Sequence, residues 1–132
     1  YNVAAIIEVL KGSKRLAKFS YDGNIEKNDF VFILACNTIH TGKGMKAAPN
    51  AKLDDGLIDL VIVKKASRLK LLLLFPKIFS GKHISSPLVQ YQQVNSFSIF
   101  PESDSGLNID GELIGNTPLS VTVKAGLIKV LV

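Results

Sequence analysis

Val94-Asn95-Ser96-Phe97-Ser98-Ile99-Phe100-Pro101 sets Phe97 and Ile99 against Ser96 and Ser98, the two-residue period of a strand, and closes on a proline. Similar short runs lie around it. Leu88 to Gln92 precedes it, and Leu107 to Ile109, Leu119 to Val123 and Leu127 to Val132 follow, punctuated by Pro101, Gly115-Asn116 and Ala125-Gly126. Upstream, Ala17, Phe19 and Tyr21 alternate with Lys18 and Ser20 until Asp22-Gly23 turns the chain. Phe30 to Asn37 and Leu57 to Val63 are continuous apolar runs of strand length, and the first reads as buried on both faces. Helical spacing occurs twice. Val3, Ile6, Ile7 and Leu10 make a short opening helix stopped by Lys11-Gly12; Ser67 caps a second over Leu69 to Phe75, with Pro76 kinking or dividing it and Gly81 ending it. Many short strands with one or two short helices predict a mainly β chain folded as a β-sandwich. No repeat or linker divides residues 1–132, so one domain is expected.

With 47% hydrophobic and 20% charged residues, the 132-residue chain is globular rather than disordered. The single cysteine, Cys36, sits in the apolar run and reads as a buried structural thiol. With two histidines it gives no zinc signature, and no disulfide can form within the chain. A net charge of +5 suits nucleic acid, anionic membranes or phosphorylated substrates. The lysines are dispersed, without an Arg-rich cluster or a finger spacing, which leaves no nucleic-acid signature. The most apolar run, Leu69 to Phe79, is too short and too interrupted to span a membrane. The start, Tyr1-Asn2-Val3, has neither Met nor a signal peptide.

Two acidic glycine motifs carry the chemistry. In Asn108-Ile109-Asp110-Gly111-Glu112, two carboxylates flank a glycine, an arrangement suited to Mg²⁺ with its phosphates or to a hydroxyl losing its proton. Asp-Gly is equally a common hairpin turn. Upstream, a long loop holds Gly42-Lys43-Gly44 and Asp54-Asp55-Gly56, then Asp59. Its glycines permit close backbone approach to a ligand, and its aspartates offer hard oxygens to a divalent cation. A tight turn explains Asp55-Gly56 as well.

Taken in order, Asn37, Gly42-Lys43-Gly44, Ala48-Pro49-Asn50-Ala51, Asp54-Asp55-Gly56-Leu57-Ile58-Asp59-Leu60, Phe79-Ser80-Gly81-Lys82-His83 and Asn108 to Glu112 resemble the C-terminal domain of the diacylglycerol kinase family of soluble lipid kinases. That family includes bacterial diacylglycerol-kinase-like proteins, which the chain resembles most, along with sphingosine and ceramide kinases. Its kinases pair this domain, a β-sandwich, with an N-terminal domain carrying a Gly-Gly-Asp-Gly-Thr-like phosphate-binding motif. Nothing here matches that motif. The resemblance therefore implies a C-terminal half that lacks the nucleotide-binding domain and is inactive alone. Where the family often has three consecutive glycines, this chain has Gly42-Lys43-Gly44.

The resemblance implies transfer of the γ-phosphoryl group of ATP to a lipid hydroxyl, with Mg²⁺, by a cytoplasmic protein peripherally associated with membranes. It leaves open which lipid is used and whether a homodimer forms. Asp110 would be general base with Glu112 in support, as in bacterial members, or would face nucleotide and Mg²⁺, as in sphingosine kinases. Gly111 would let the backbone pass near the ATP phosphates. A structural Mg²⁺ would take the Asp55 side chain with the Lys52 and Leu57 carbonyls. Leu72, Phe75 and Phe79 are candidates for a lipid-pocket wall or membrane-facing element, with core burial as the alternative. His40 and His83 read as surface or structural. Two rivals stand beside this reading. A non-catalytic lipid- or nucleic-acid-binding β module could use Phe30, Phe32, Phe97 and Phe100, although their apolar setting favours the core. The NAD kinases share the broader fold but differ in the spacing of the acidic motifs.

Overall fold

Asp22 and Gly23 both have positive φ, 45° and 82°. That is the geometry of a two-residue type I′ turn, and it folds β1 (Arg15–Tyr21) back on β2 (Asn24–Cys36). The computed structural model describes residues 15–104, 106–129 and 131; the helix expected over Val3 to Leu10 lies outside them. Strand β2 has two partners. Residues 24–30 pair with β1, residues 30–36 pair with β3 (Ile58–Lys64), and the register shifts between Phe30 and Phe32. A bulge bends a strand, so β2 passes from one layer of the sheet to the other.

The remaining strands extend both layers. β4 (Val89–Val94) pairs with β3, β5 (Ser96–Pro101) with β1, and β8 (Leu119–Thr122) with β5, all antiparallel in the order β4-β3-β2-β1-β5-β8. Only Asn95 separates β4 from β5, although three strands stand between them in the sheet. The sheet must therefore curl until its ends approach. Side chains tie this closure: Asn95 N–H donates to Asp22 Oδ1 at 3.2 Å, and Gln90 Nε2 donates to Tyr21 Oη and to a Glu26 carboxylate oxygen, each at 2.9 Å. Burial, and then the Glu26 carboxylate, push the Tyr21 phenol up to about 12. β6 (Gly106–Ile109) and β7 (Glu112–Asn116) form a separate two-stranded sheet. Among the described residues one α-helix, α1 (Arg68–Ser80), and a 3₁₀ turn (Lys82–Ser85) complete the expected mainly β sandwich.

The alternation read in β1 and β5 places Phe19, Tyr21, Phe97 and Ile99 inside the curl with Phe30, Leu60, Ile62 and Val94. Phe19 meets Phe30 edge to face at 5.3 Å. Phe19→Ala is expected to cost about 3–5 kcal/mol, measured by urea unfolding. The other face of β3 is also covered, with Val61 against Leu74 of α1 and Val89. That explains its continuous apolar run.

Several sequence expectations need correction. The run Phe30 to Asn37 is not buried on both faces: Phe32 is 41% exposed, as the outer face of β2 is only partly covered. Phe100, read as core, points outward from β5 and is 48% exposed. β2 begins at Asn24, well before the apolar run, because pairing with β1 recruits the polar segment Glu26 to Asp29. Leu127 to Val132 forms no strand over its described residues; β8 ends at Thr122, and Leu127 and Ile128 are exposed without a strand partner. Pro76 does not divide α1, which runs unbroken to Ser80. Its ring removes a single helical hydrogen bond, while Leu71 and Leu74, both N-terminal to it, anchor the helix by burial.

Candidate functional site

Ile109 pairs directly with Glu112, so Asp110-Gly111 is the two-residue turn of the β6–β7 hairpin. Both residues have positive φ, 51° and 97°. Aspartate tolerates that region and glycine is suited to it. Asn108 Oδ1 accepts from Gly111 N–H at 3.0 Å and fixes the turn. Asp110, Gly111 and Glu112 are all exposed, and neither carboxylate forms a salt bridge with a described residue. The turn reading of Asp-Gly thus holds, and the same turn presents both acids to solvent.

The second motif is also a turn. Asp55 Oδ1 accepts from Leu57 N–H at 2.9 Å, and Gly56 follows with φ 70°. A Cβ on Gly56 would lie 3.0 Å from the Ala125 Cβ, so the loop packs directly on the segment after β8. Gly56→Ala is expected to destabilise the fold by about 1–2 kcal/mol, a loss that urea unfolding would register. Between loop and segment runs an open groove of about 560 Å³, lined in part by Asn37, Asp54, Thr122, Lys124 and Leu127. Asp110 and Glu112 are not among the residues that line it.

At the loop where Mg²⁺ is expected, Asp55 Oδ1 is committed to the turn and no hydrogen bond is formed by Oδ2 with a described residue. Among the described residues no group of three His, Cys, Asp or Glu is placed to hold a metal. One carboxylate oxygen with the Lys52 and Leu57 carbonyls is a donor set that fits Mg²⁺, which keeps most of its waters. Millimolar Mg²⁺ is expected to raise the melting temperature of the chain by a few degrees, and Asp55→Ala to abolish that rise; differential scanning calorimetry checks both.

A polar network not anticipated from the sequence lies beneath this loop. Asp59 is fully buried on the outer face of β3, between Cys36 on β2 and Gln93 on β4. Its Oδ1 accepts from the Tyr91 hydroxyl and, at 3.1 Å, from Gln93 Nε2, which also reaches the Asn50 carbonyl at 3.3 Å. Burial, then the Asp59 carboxylate, hold the Tyr91 phenol well above its usual range; burial also raises the Cys36 thiol, as its structural reading implied. The loop is pinned elsewhere too. Lys46 N–H donates to the Ile78 carbonyl at 3.0 Å, and His83, buried, donates from Nε2 to the Ala47 carbonyl at 3.0 Å. The sequence signal for the network was a lone acid, Asp59, inside an apolar strand.

Burial holds the His83 pKa below the ordinary histidine value. The unfolded chain then binds a proton that the folded chain refuses. Stability is full above about pH 6.5 and falls as the pH drops below it, by at most about 1.4 kcal/mol per unit from this group. His83→Gln, which can still donate to Ala47, is expected to flatten that part of the profile between pH 7 and 5. Thermal melts across this range would show it.

Of the lipid-facing candidates, Leu72 and Phe79 are exposed on α1, while Phe75 is half-buried and stacks edge to face on Phe79 at 5.8 Å. His40 is exposed, in keeping with a surface role.

A curled antiparallel sheet with two acidic glycine turns defines the class as a β-sandwich domain. A family model described as the YegS C-terminal NAD kinase beta sandwich-like domain matches residues 1–132, and the chain belongs to that family. The chain is 33% identical over 101 residues to a diacylglycerol kinase of Staphylococcus saprophyticus, covering 76% of this chain and 33% of that one. It is 36% identical over 105 residues to human sphingosine kinase 2, covering 76% and 16%. A solved chain from Bacillus anthracis superposes with a TM-score of 0.76 at 24% identity, over 96% of this chain and 44% of that one. A diacylglycerol kinase from the same organism gives 0.69 at 19%, over 92% and 43%. These superpositions support the fold. The chain spans about a third of the bacterial relatives it matches.

Proposed function

We propose that this chain forms the acceptor side of an ATP-dependent lipid kinase, which transfers the γ-phosphoryl group to a diacylglycerol-like or sphingoid hydroxyl. The observation that carries the reading is the exposed Asp110-Gly111-Glu112 turn, in a chain whose relatives include diacylglycerol kinases and a sphingosine kinase. An exposed carboxylate on a rigid two-residue turn can accept the proton of an acceptor hydroxyl brought against it. In the alternative role, the same carboxylate faces the nucleotide and Mg²⁺. Bound Mg²⁺ would supply charge neutralisation for the phosphates. Glu112, one residue past Gly111, keeps the turn acidic, and Gly111 leaves room for a phosphate near the backbone.

The reading assigns the phosphate cradle to a nucleotide-binding domain outside this sequence. It also places the protein in the cytoplasm, meeting its lipid at a membrane surface. The purified 132-residue chain, given ATP, Mg²⁺ and mixed micelles of diacylglycerol or sphingosine, is expected to show no turnover. ATP-dependent phosphorylation by the chain alone would refute this division of labour.

A further inference from the structure

Helix α1 reverses the ordinary pattern of a surface helix, which is apolar toward the core and polar toward water. At about 100° per residue, Leu71, Leu74 and Ile78 share the sheet-facing side, with Leu71 and Leu74 buried. The opposite side carries Leu69, Leu72, Leu73, Pro76 and Phe79, and no charge. These large side chains stand in water: Leu69 is 67% exposed, Leu73 65%, Leu72 43% and Phe79 40%. Arg68 lies along one rim of this apolar stripe, and Lys70 and Lys77 along the other. From Leu60 to Pro101 the sequence contains no Asp or Glu, while Lys64, Lys65 and Lys82 add further positive charge.

We infer that the outward face of α1 is a docking surface for anionic membrane lipid. A two-fold dimer through this face would set Arg68, Lys70 and Lys77 against their own images, with no carboxylate in the surrounding stretch to pair with them. An anionic bilayer instead accepts the apolar stripe among its acyl chains and the cationic rims among its headgroups. No described helix is long and apolar enough to cross a membrane. The helix therefore lies along the surface, with Leu69, Leu72, Leu73 and Phe79 inserted. This surface stands independently of phosphoryl transfer.

Co-sedimentation of the chain with phosphatidylcholine vesicles, with and without phosphatidylglycerol and without nucleotide, tests it. Binding to the anionic vesicles should weaken about tenfold or more in Leu69→Glu/Leu73→Glu, whose exposed positions leave the fold intact by circular dichroism. Lys70→Glu/Lys77→Glu should also weaken it, and added salt should do the same to the wild type. Equal binding by wild type and the leucine variant, or no binding to anionic vesicles, overturns the proposal. So does a concentration-dependent dimer that Leu69→Glu/Leu73→Glu dissolves, which would assign the face to a second copy. Because the assay contains no ATP, its outcome is separate from that of the kinase reading.

Discussion

Asp110→Asn, in a protein that joins this chain to its nucleotide-binding domain, is expected to lower kcat for lipid phosphorylation by about 100-fold to 10,000-fold, with KM little changed. Asparagine tolerates positive φ at least as well as aspartate, so the turn at φ 51° survives and the substitution tests the charge alone. Unchanged melting of the variant would confirm that the turn is kept. Glu112→Gln is expected to cost less, about tenfold, as befits a supporting group. The pH profile separates the two roles open to Asp110. A general base gives wild-type kcat an acid limb that the variant loses. A carboxylate facing Mg²⁺ instead gives a variant partly rescued by higher metal concentration. If Asp110→Asn retains full activity, the motif is a hairpin turn and nothing more.

The second large effect concerns stability. Asp59→Ala removes the acceptor shared by the Tyr91 hydroxyl and Gln93 Nε2, leaving a half-buried phenol and an exposed amide without it. Losing that acceptor costs about 1–3 kcal/mol, to be read from urea unfolding. Asp59→Asn keeps one accepting oxygen and should cost about 1–2 kcal/mol. Because Gln93 also holds the Asn50 carbonyl, the Ala variant should speed amide hydrogen exchange in residues 46–56 before it does so in β1 or β5. A uniform loss of protection would show that Asp59 supports the sheet as a whole rather than the loop.

Local signals in the sequence identify much of this fold. The alternation in β1 and β5, the Asp22-Gly23 turn and the Ser67 and Gly81 ends of α1 depend on neighbouring residues, and each is visible there. What pairing decides is not. The polar first half of β2 becomes strand because β1 lies beside it, and apolar Leu127 and Ile128 do not because no edge receives them. Phe100 shares the outward side of Ser96 and Ser98 in β5, and Phe32 falls on the outer face of β2 after the register shift that follows Phe30. The two acidic turns were legible as turns, and their exposure as acids follows from them. That only the upstream motif lines the groove was not legible. Nor was the reach of Gln93 and Tyr91 across the sheet to Asp59, which depends on the register of β3 with β4.

The central claim is that this domain presents a lipid hydroxyl for phosphorylation. Transfer of labelled phosphate from ATP, by the protein in which this chain is joined to its nucleotide-binding domain, measures it directly. Diacylglycerol, sphingosine and NAD would be offered in parallel and the products resolved by chromatography. The account predicts label in diacylglycerol or sphingosine, and none in NAD. Label in NAD alone, or in no acceptor, would contradict it.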